Sequence, residues 1–186
     1  MGGIMSIILQ GSTSGSITLQ EPAVAGTTVL TLPAVTGNVL TDTSPKAGNV
    51  IQVVNATTST QASTTSGTFQ DTGLSATITP SSSSSKILVI WAINGTFSAT
   101  GVGIETNLVR TSTQIVYTEN IAARDGSGND AGSGTSGGTY LDSPATTSAI
   151  TYKCQYRSRN GSGTVYVQET GSSASTSMMT LMEIAG

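Results

Sequence analysis

Apolar residues recur at every second position along most of this chain, and no segment sustains the 3.6-residue period of an amphipathic helix. From Ile150 to Arg157, Ile150, Tyr152, Cys154 and Tyr156 fall on one side of an extended strand, and Thr151, Lys153, Gln155 and Arg157 on the other. Val102, Ile104, Thr106 and Leu108 alternate in the same way with Gly103, Glu105, Asn107 and Val109, which predicts a half-buried antiparallel strand. Val165 and Val167 repeat the motif. Near the C-terminus Met178, Thr180, Met182 and Ile184 continue the inward series, opposite Met179, Leu181 and Glu183. Lys86 to Asn94 is different: it is apolar almost without interruption, which predicts a central strand covered on both faces with Trp91 as a core anchor.

Turn residues separate these runs. Asn49 to Asn55 reads as a strand, Thr57 to Gly67 as a hairpin region, and Thr68 to Asp71 with Leu74 to Thr79 as a further strand pair that ends at Pro80 and Ser81–Ser85. About eight strands at spacings of roughly ten residues predict an all-β fold, an antiparallel β-sandwich of jelly-roll type, over residues 46–186. Residues 124–138, RDGSGNDAGSGTSGG, break the alternation and read as a long flexible loop, the leading candidate for a contact surface through Arg124, Asp125, Asn129 and Asp130.

The N-terminal part follows another rule. Pro-Ala-Val-x-Gly occurs at Pro22 to Gly26 and again at Pro33 to Gly37, between short β-branched runs too sparse to build a core of their own. Units that cannot bury an apolar face alone bury it against neighbours, here identical chains around a shared axis. Residues 1–45 are therefore expected to form a β-rich trimeric stem, joined to the sandwich through the turn-rich segment Asp42 to Gly48. Gly2 and Ser6 fit an N-myristoylation pattern, but Met5 to Gln10 reads more simply as a first strand.

Composition narrows the function. The 186 residues include no histidine, only 9% are charged, 4% are aromatic, and the net charge is -3. Ser and Thr together make up roughly a third of the chain, a share typical of β-rich surface proteins. The longest apolar stretch, Ile87 to Ile93, falls well short of the roughly 20 residues a spanning helix needs, and no basic leader precedes it, so neither membrane insertion nor general secretion is expected. A single cysteine, Cys154, excludes a disulfide within the chain, fits assembly in a reducing cytoplasm, and is placed on an inward strand face as a small hydrophobe.

Candidate chemistry is sparse. Without histidine the common triads and most zinc sites are absent, and Glu105, Glu119, Asp142, Glu169 and Glu183 fall on outward strand positions or in turns, as solubilising side chains do. No enzyme activity, cofactor or metal is expected. Asp125 to Asp130 offers oxygen ligands, yet Ser136 stands where a calcium loop supplies its bidentate glutamate, which favours a solvated glycine loop. Lys153, Arg157 and Arg159 form the densest basic patch. In an acidic chain it suits pairing with carboxylates or contact with an anionic cell-surface glycan better than nucleic acid.

Several segments resemble a known family. Thr18-Leu19, Pro-Ala-Val-x-Gly, Leu30-Thr-Leu-Pro33 and Gly37-x-Val-Leu-Thr41 are similar to the start of tail-fibre-like virion proteins of tailed bacteriophages of aquatic bacteria and cyanobacteria. Leu74 to Val89, Leu141 to Ser148, Gly163 to Val167 and Met182 to Gly186 resemble the C-terminal β-domain of such proteins. The resemblance implies a virion structural protein assembled in the host cytoplasm, with other virion proteins as partners. It is expected to be a short trimeric tail fibre for host attachment or, alternatively, a capsid decoration protein that stabilises the head.

Overall fold

The computed structural model describes residues 6–10, 13–20, 45–97, 102–119, 132–168 and 175–186. The chain divides into two compact units, Met1–Val39 and Leu40–Gly186. In the first unit the described residues form an antiparallel hairpin, β1 (Ser6–Gln10) against β2 (Ser16–Gln20), with Ser6 opposite Gln20. The strand expected at Met5 to Gln10 is thus present as β1. The Pro-Ala-Val-x-Gly repeat lies outside the described residues.

In the second unit the described residues contain no helix and form two antiparallel sheets. Its strands are β3 (Val50–Thr58), β4 (Ala62–Thr64), β5 (Gln70–Ile78), β6 (Lys86–Phe97), β7 (Ile104–Arg110), β8 (Thr113–Thr118), β9 (Gly132–Asp142), β10 (Ile150–Ser158), β11 (Val165–Val167) and β12 (Ser177–Ile184). One sheet has the order β5-β10-β7-β8. The other runs β3-β12-β6-β11-β4, with β9 paired along the opposite edge of β6.

Alternation builds the core as the sequence predicts for β10: Tyr152 and Cys154 are fully buried and Tyr156 nearly so. From the second sheet Ile87, Val89, Trp91 and Ile93 of β6 and Met179 and Leu181 of β12 join the same cluster, together with Leu74, Ile78, Ile104 and Leu108 from the first. Each such side chain contributes about 1.5–3 kcal/mol on burial, and their convergence from both sheets is what holds the layers together.

Several expectations are corrected. β6 is central but not covered on both faces: Ile90 is 39% exposed, because its even-numbered side chains meet no second layer. On β12 the inward set is Ser177, Met179, Leu181 and Glu183, with Met178 half exposed, the reverse of the assignment made from alternation alone. Period two fixes which residues share a face, and core packing decides which face turns in. β7 is buried on both sides, Glu105, Asn107 and Val109 included, because long side chains from β10 and β8 lie over it.

Segment pairing also differs. Thr57 to Gly67 is not a hairpin: β3 pairs with β12 and β4 with β11. The strand pair expected between Thr68 and Thr79 is one strand, β5. Gly73, at φ +83°, takes up the irregularity in its register against Lys153 and Gln155, as a glycine at a bulge can. The loop expected over residues 124–138 is strand from Gly132 onward, in unbroken register with β6 from Gly132 opposite Phe97 to Asp142 opposite Ile87. Its glycines have a packing cause. A Cβ at Gly137 would lie 2.4 Å from the Trp91 carbonyl oxygen, and one at Gly138 would lie 3.2 Å from the Trp91 indole.

Candidate functional site

The outward face of the β5-β10-β7-β8 sheet gathers the charged and aromatic side chains. Register places Arg157 of β10 opposite Glu105 of β7, and its Nε donates to Glu105 Oε2 at 2.6 Å. Arg159 reaches the other oxygen of the same carboxylate at 3.8 Å. The Arg157 guanidinium also lies 4.6 Å from the centre of the Phe69 ring, which in turn meets Tyr117 edge to face at 6.3 Å. Cation and ring attract because the ring face carries negative quadrupole charge, and the edge-to-face geometry is favourable for the same reason.

Further along the face, Lys153 and Gln155 converge on Asp71 of β5, at 2.9 Å to Oδ1 and 2.7 Å respectively. Between the two clusters Asn107 donates through Nδ2 to Gln114 Oε1 at 3.1 Å, while its buried Oδ1 has no partner among the described residues. With Glu119 accepting from the Tyr117 hydroxyl at 3.4 Å, three cationic side chains stand against three carboxylates.

Electrostatics follow from these partners. Hydrogen bonding to Glu105 raises the Arg157 pKa above its ordinary value. Burial pushes the Asp71 carboxyl up, but the hydrogen bonds from Lys153 and Gln155 outweigh it and leave the group below the usual carboxylate value. Burial raises the Tyr117 phenol, and its hydrogen bond with Glu105 adds to the effect. Asp71 is thus held ionised by its donors, Glu105 is engaged by two guanidinium groups, and neither carboxyl is presented as a free general acid. The face offers a partly exposed phenol, guanidinium groups and amides, the groups that stack on and hydrogen-bond to a polyhydroxylated ligand.

Three other polar groupings among the described residues lie inside. Asp142 of β9 accepts from Arg110 Nη1 at 2.8 and 2.9 Å and from the Tyr152 hydroxyl at 2.6 Å, tying β9 to β7 and β10 of the other sheet. Burial, then the bond to Asp142, raises the Tyr152 phenol far above its ordinary value. Thr106 and Ser136 share a buried 2.8 Å hydrogen bond across the same layers. Glu183, fully buried, accepts from Gln52 and from the Ser81 amide and hydroxyl; burial pushes its carboxyl up, and these bonds bring it below its ordinary value. Asp142 and Glu183 are therefore not the outward solubilising groups that their spacing implied, and Glu105, though on the outward face, is buried beneath Arg157 and Arg159. Glu119 is exposed, and Glu169 lies outside the described residues.

Arg124, Asp125, Asn129 and Asp130 also lie outside the described residues, so the structure assembles nothing from them. The basic patch noted in the sequence is confirmed as paired with carboxylates. Sequence reasoning missed its partners Glu105, Phe69 and Tyr117, whose cross-strand neighbours depend on register. Cys154 is fully buried and its thiol is pushed up to about 12 by burial, which leaves it a packing residue. Among the described residues no cluster of His, Cys, Asp and Glu could hold a metal ion, and no helix is long and apolar enough to cross a membrane.

Fold and surface together define an all-β protein whose larger unit is built from two antiparallel sheets on one core. No protein-family model matches the chain, and no curated protein matches it in sequence.

Proposed function

We propose that the protein is a non-enzymatic structural component of a tailed-bacteriophage virion, a short homotrimeric fibre that attaches to a glycan of the host surface. In this reading residues 1–45 form the trimeric stem and residues 46–186 a jelly-roll-like β-sandwich. The segment resemblances support the virion setting. The observation that carries an attachment role is the cluster of Arg157, Phe69, Tyr117 and Glu105 on one outward face. Tyr117 is 39% exposed beside guanidinium groups whose charge is already balanced, a surface suited to neutral or weakly anionic sugar.

A single shallow contact of this kind is weak. Three linked copies raise the effective concentration for the second and third contacts to roughly millimolar levels, so modest individual affinity becomes useful attachment. Arg124, Asp125, Asn129 and Asp130, which follow β8 in the chain, are the further candidate contact residues of this reading.

Labelling the protein on intact particles tests the reading. Label at the tail, with adsorption reduced by Tyr117→Ala and by deletion of residues 124–130, is the expected result. Label spread over the head, with adsorption intact and shell stability lowered when the protein is removed, would instead make it a decoration protein.

A further inference from the structure

The outward face of the six-stranded sheet carries the most extensive unexplained feature of the molecule. Register aligns Val53, Met182, Leu88 and Leu141 in one row across β3, β12, β6 and β9. Val53 is 56% exposed and Leu141 49%, and Ile90 and Met178 extend the patch at 39% and 50%. Contiguous exposed apolar side chains on one sheet face mark an interaction site.

We propose that this face is where copies of the chain meet, each copy's apolar face covered by the same face of its neighbours. Charge selects the occupant. Among the described outward positions of β3, β6, β9 and β12 the one charged residue is Lys86, at the end of β6, so an anionic polymer or lipid headgroup has almost nothing to bind. Four of the polar side chains on the face are paired with one another: Asn55 Nδ2 donates to Thr180 Oγ1 at 3.0 Å, and Thr135 Oγ1 donates to Asn94 Oδ1 at 2.7 Å. A partner therefore needs apolar surface and little charge. The opposite sheet cannot supply it, since covering the patch with that face would take Lys153, Arg157 and Asp71 out of water. The same face of a sister copy has the required neutrality and apolar side chains.

This inference stands on the sheet alone and does not depend on the virion reading. Its test uses the full chain with single cysteines introduced at Leu141→Cys and Met178→Cys, and at Ser75→Cys on the outward face of the other sheet; Cys154, fully buried, gives little background. Light scattering should show an oligomer. Mild oxidation should cross-link copies through residues 141 and 178 at least tenfold more than through residue 75. Adding Val53→Lys to Met178→Cys should cut that cross-linking severalfold. A monomeric wild-type chain overturns the proposal, as does an oligomer whose cross-linking at 141 and 178 is no greater than at 75, because the copies then meet elsewhere. Loss of host adsorption by Tyr117→Ala bears on the attachment role and leaves this result untouched.

Discussion

On the four-stranded sheet, Lys153, Arg157 and Arg159 each point outward and each reach a carboxylate; on the six-stranded sheet, the outward row is Val53, Met182, Leu88 and Leu141. Both sheets turn the same kind of residue inward, to one shared core. Only 9% of the residues are charged, too few to spread ions over two faces, and the chain concentrates them on one. One face is thereby equipped for polar contact with something foreign. The other is left neutral and apolar, suited to its own kind. Surface character here is divided by sheet, and perturbing each sheet separately shows what each contributes.

The largest effect is expected where the two sheets are tied together. Asp142 belongs to β9 on the apolar-faced sheet, yet its partners Arg110 and Tyr152 belong to the other. Asp142→Ala leaves a guanidinium and a buried phenol without their acceptor. Removing one member of a buried ion pair costs about 3–5 kcal/mol, and since Arg110 keeps some access to water the lower end applies. Asp142→Asn keeps an oxygen acceptor and should lose clearly less. Urea denaturation of both variants measures the difference, and a loss below about 1 kcal/mol for the alanine variant would mean that core packing alone joins the layers.

Next comes the contact that lets β9 lie against β6. Gly137→Ala sets a methyl 2.4 Å from the Trp91 carbonyl oxygen, and backbone must move to relieve it. Overpacking of this type costs about 1–3 kcal/mol. Thermal unfolding should show the loss, with faster hydrogen exchange of the β9 amides as the local signature. A neutral result would show that β9 is loosely attached.

β9 also marks the boundary of what the sequence made legible. Tyr152, Cys154 and Tyr156 could be placed inward from alternation, because a strand with one wet face repeats every second residue. Gly132 to Gly138 carries no such signal, since glycine has no side chain to alternate, and the reason for the glycines is Trp91, distant in sequence and adjacent only through register. Lys86 to Asn94 misled in the opposite direction: its outward Leu88 and Ile90 made the strand look doubly covered, when that face is open. The candidate site was legible by half. Lys153, Arg157 and Arg159 stood out by charge density, whereas Glu105 was read as solvated because its pairing with Arg157 exists only once β7 and β10 are aligned.

Within the polar face itself, Glu105→Gln should weaken the protein by about 1.5 kcal/mol, in the range for a hydrogen bond to a charged group, because Arg157 and Arg159 lose a common anion. The change should also free the Arg157 guanidinium from its fixed place over Phe69. Chemical denaturation reads the first effect, and the arginine side-chain NH resonances in NMR read the second. An unchanged Arg157 resonance would assign its position to Phe69 and to the Gly67 carbonyl, to which its Nη1 donates at 3.3 Å.

The smallest effect is expected at Lys153 and Asp71, where the carboxylate is largely exposed. Lys153→Ala should cost about 0–1 kcal/mol at neutral pH and low salt, as exposed ion pairs do, and less as salt is added. Its pH dependence has a definite sign. The Asp71 carboxyl is held below its ordinary 3.8 in the folded protein, so the unfolded chain takes up its proton first as pH falls. The contribution is therefore fully present above about pH 4–5 and lost as the pH drops through the folded value. The difference between wild type and Lys153→Ala should shrink over that acid range. A difference that stays constant to pH 2 would show that Lys153 acts through packing of its stem on the sheet and not through the charge of Asp71.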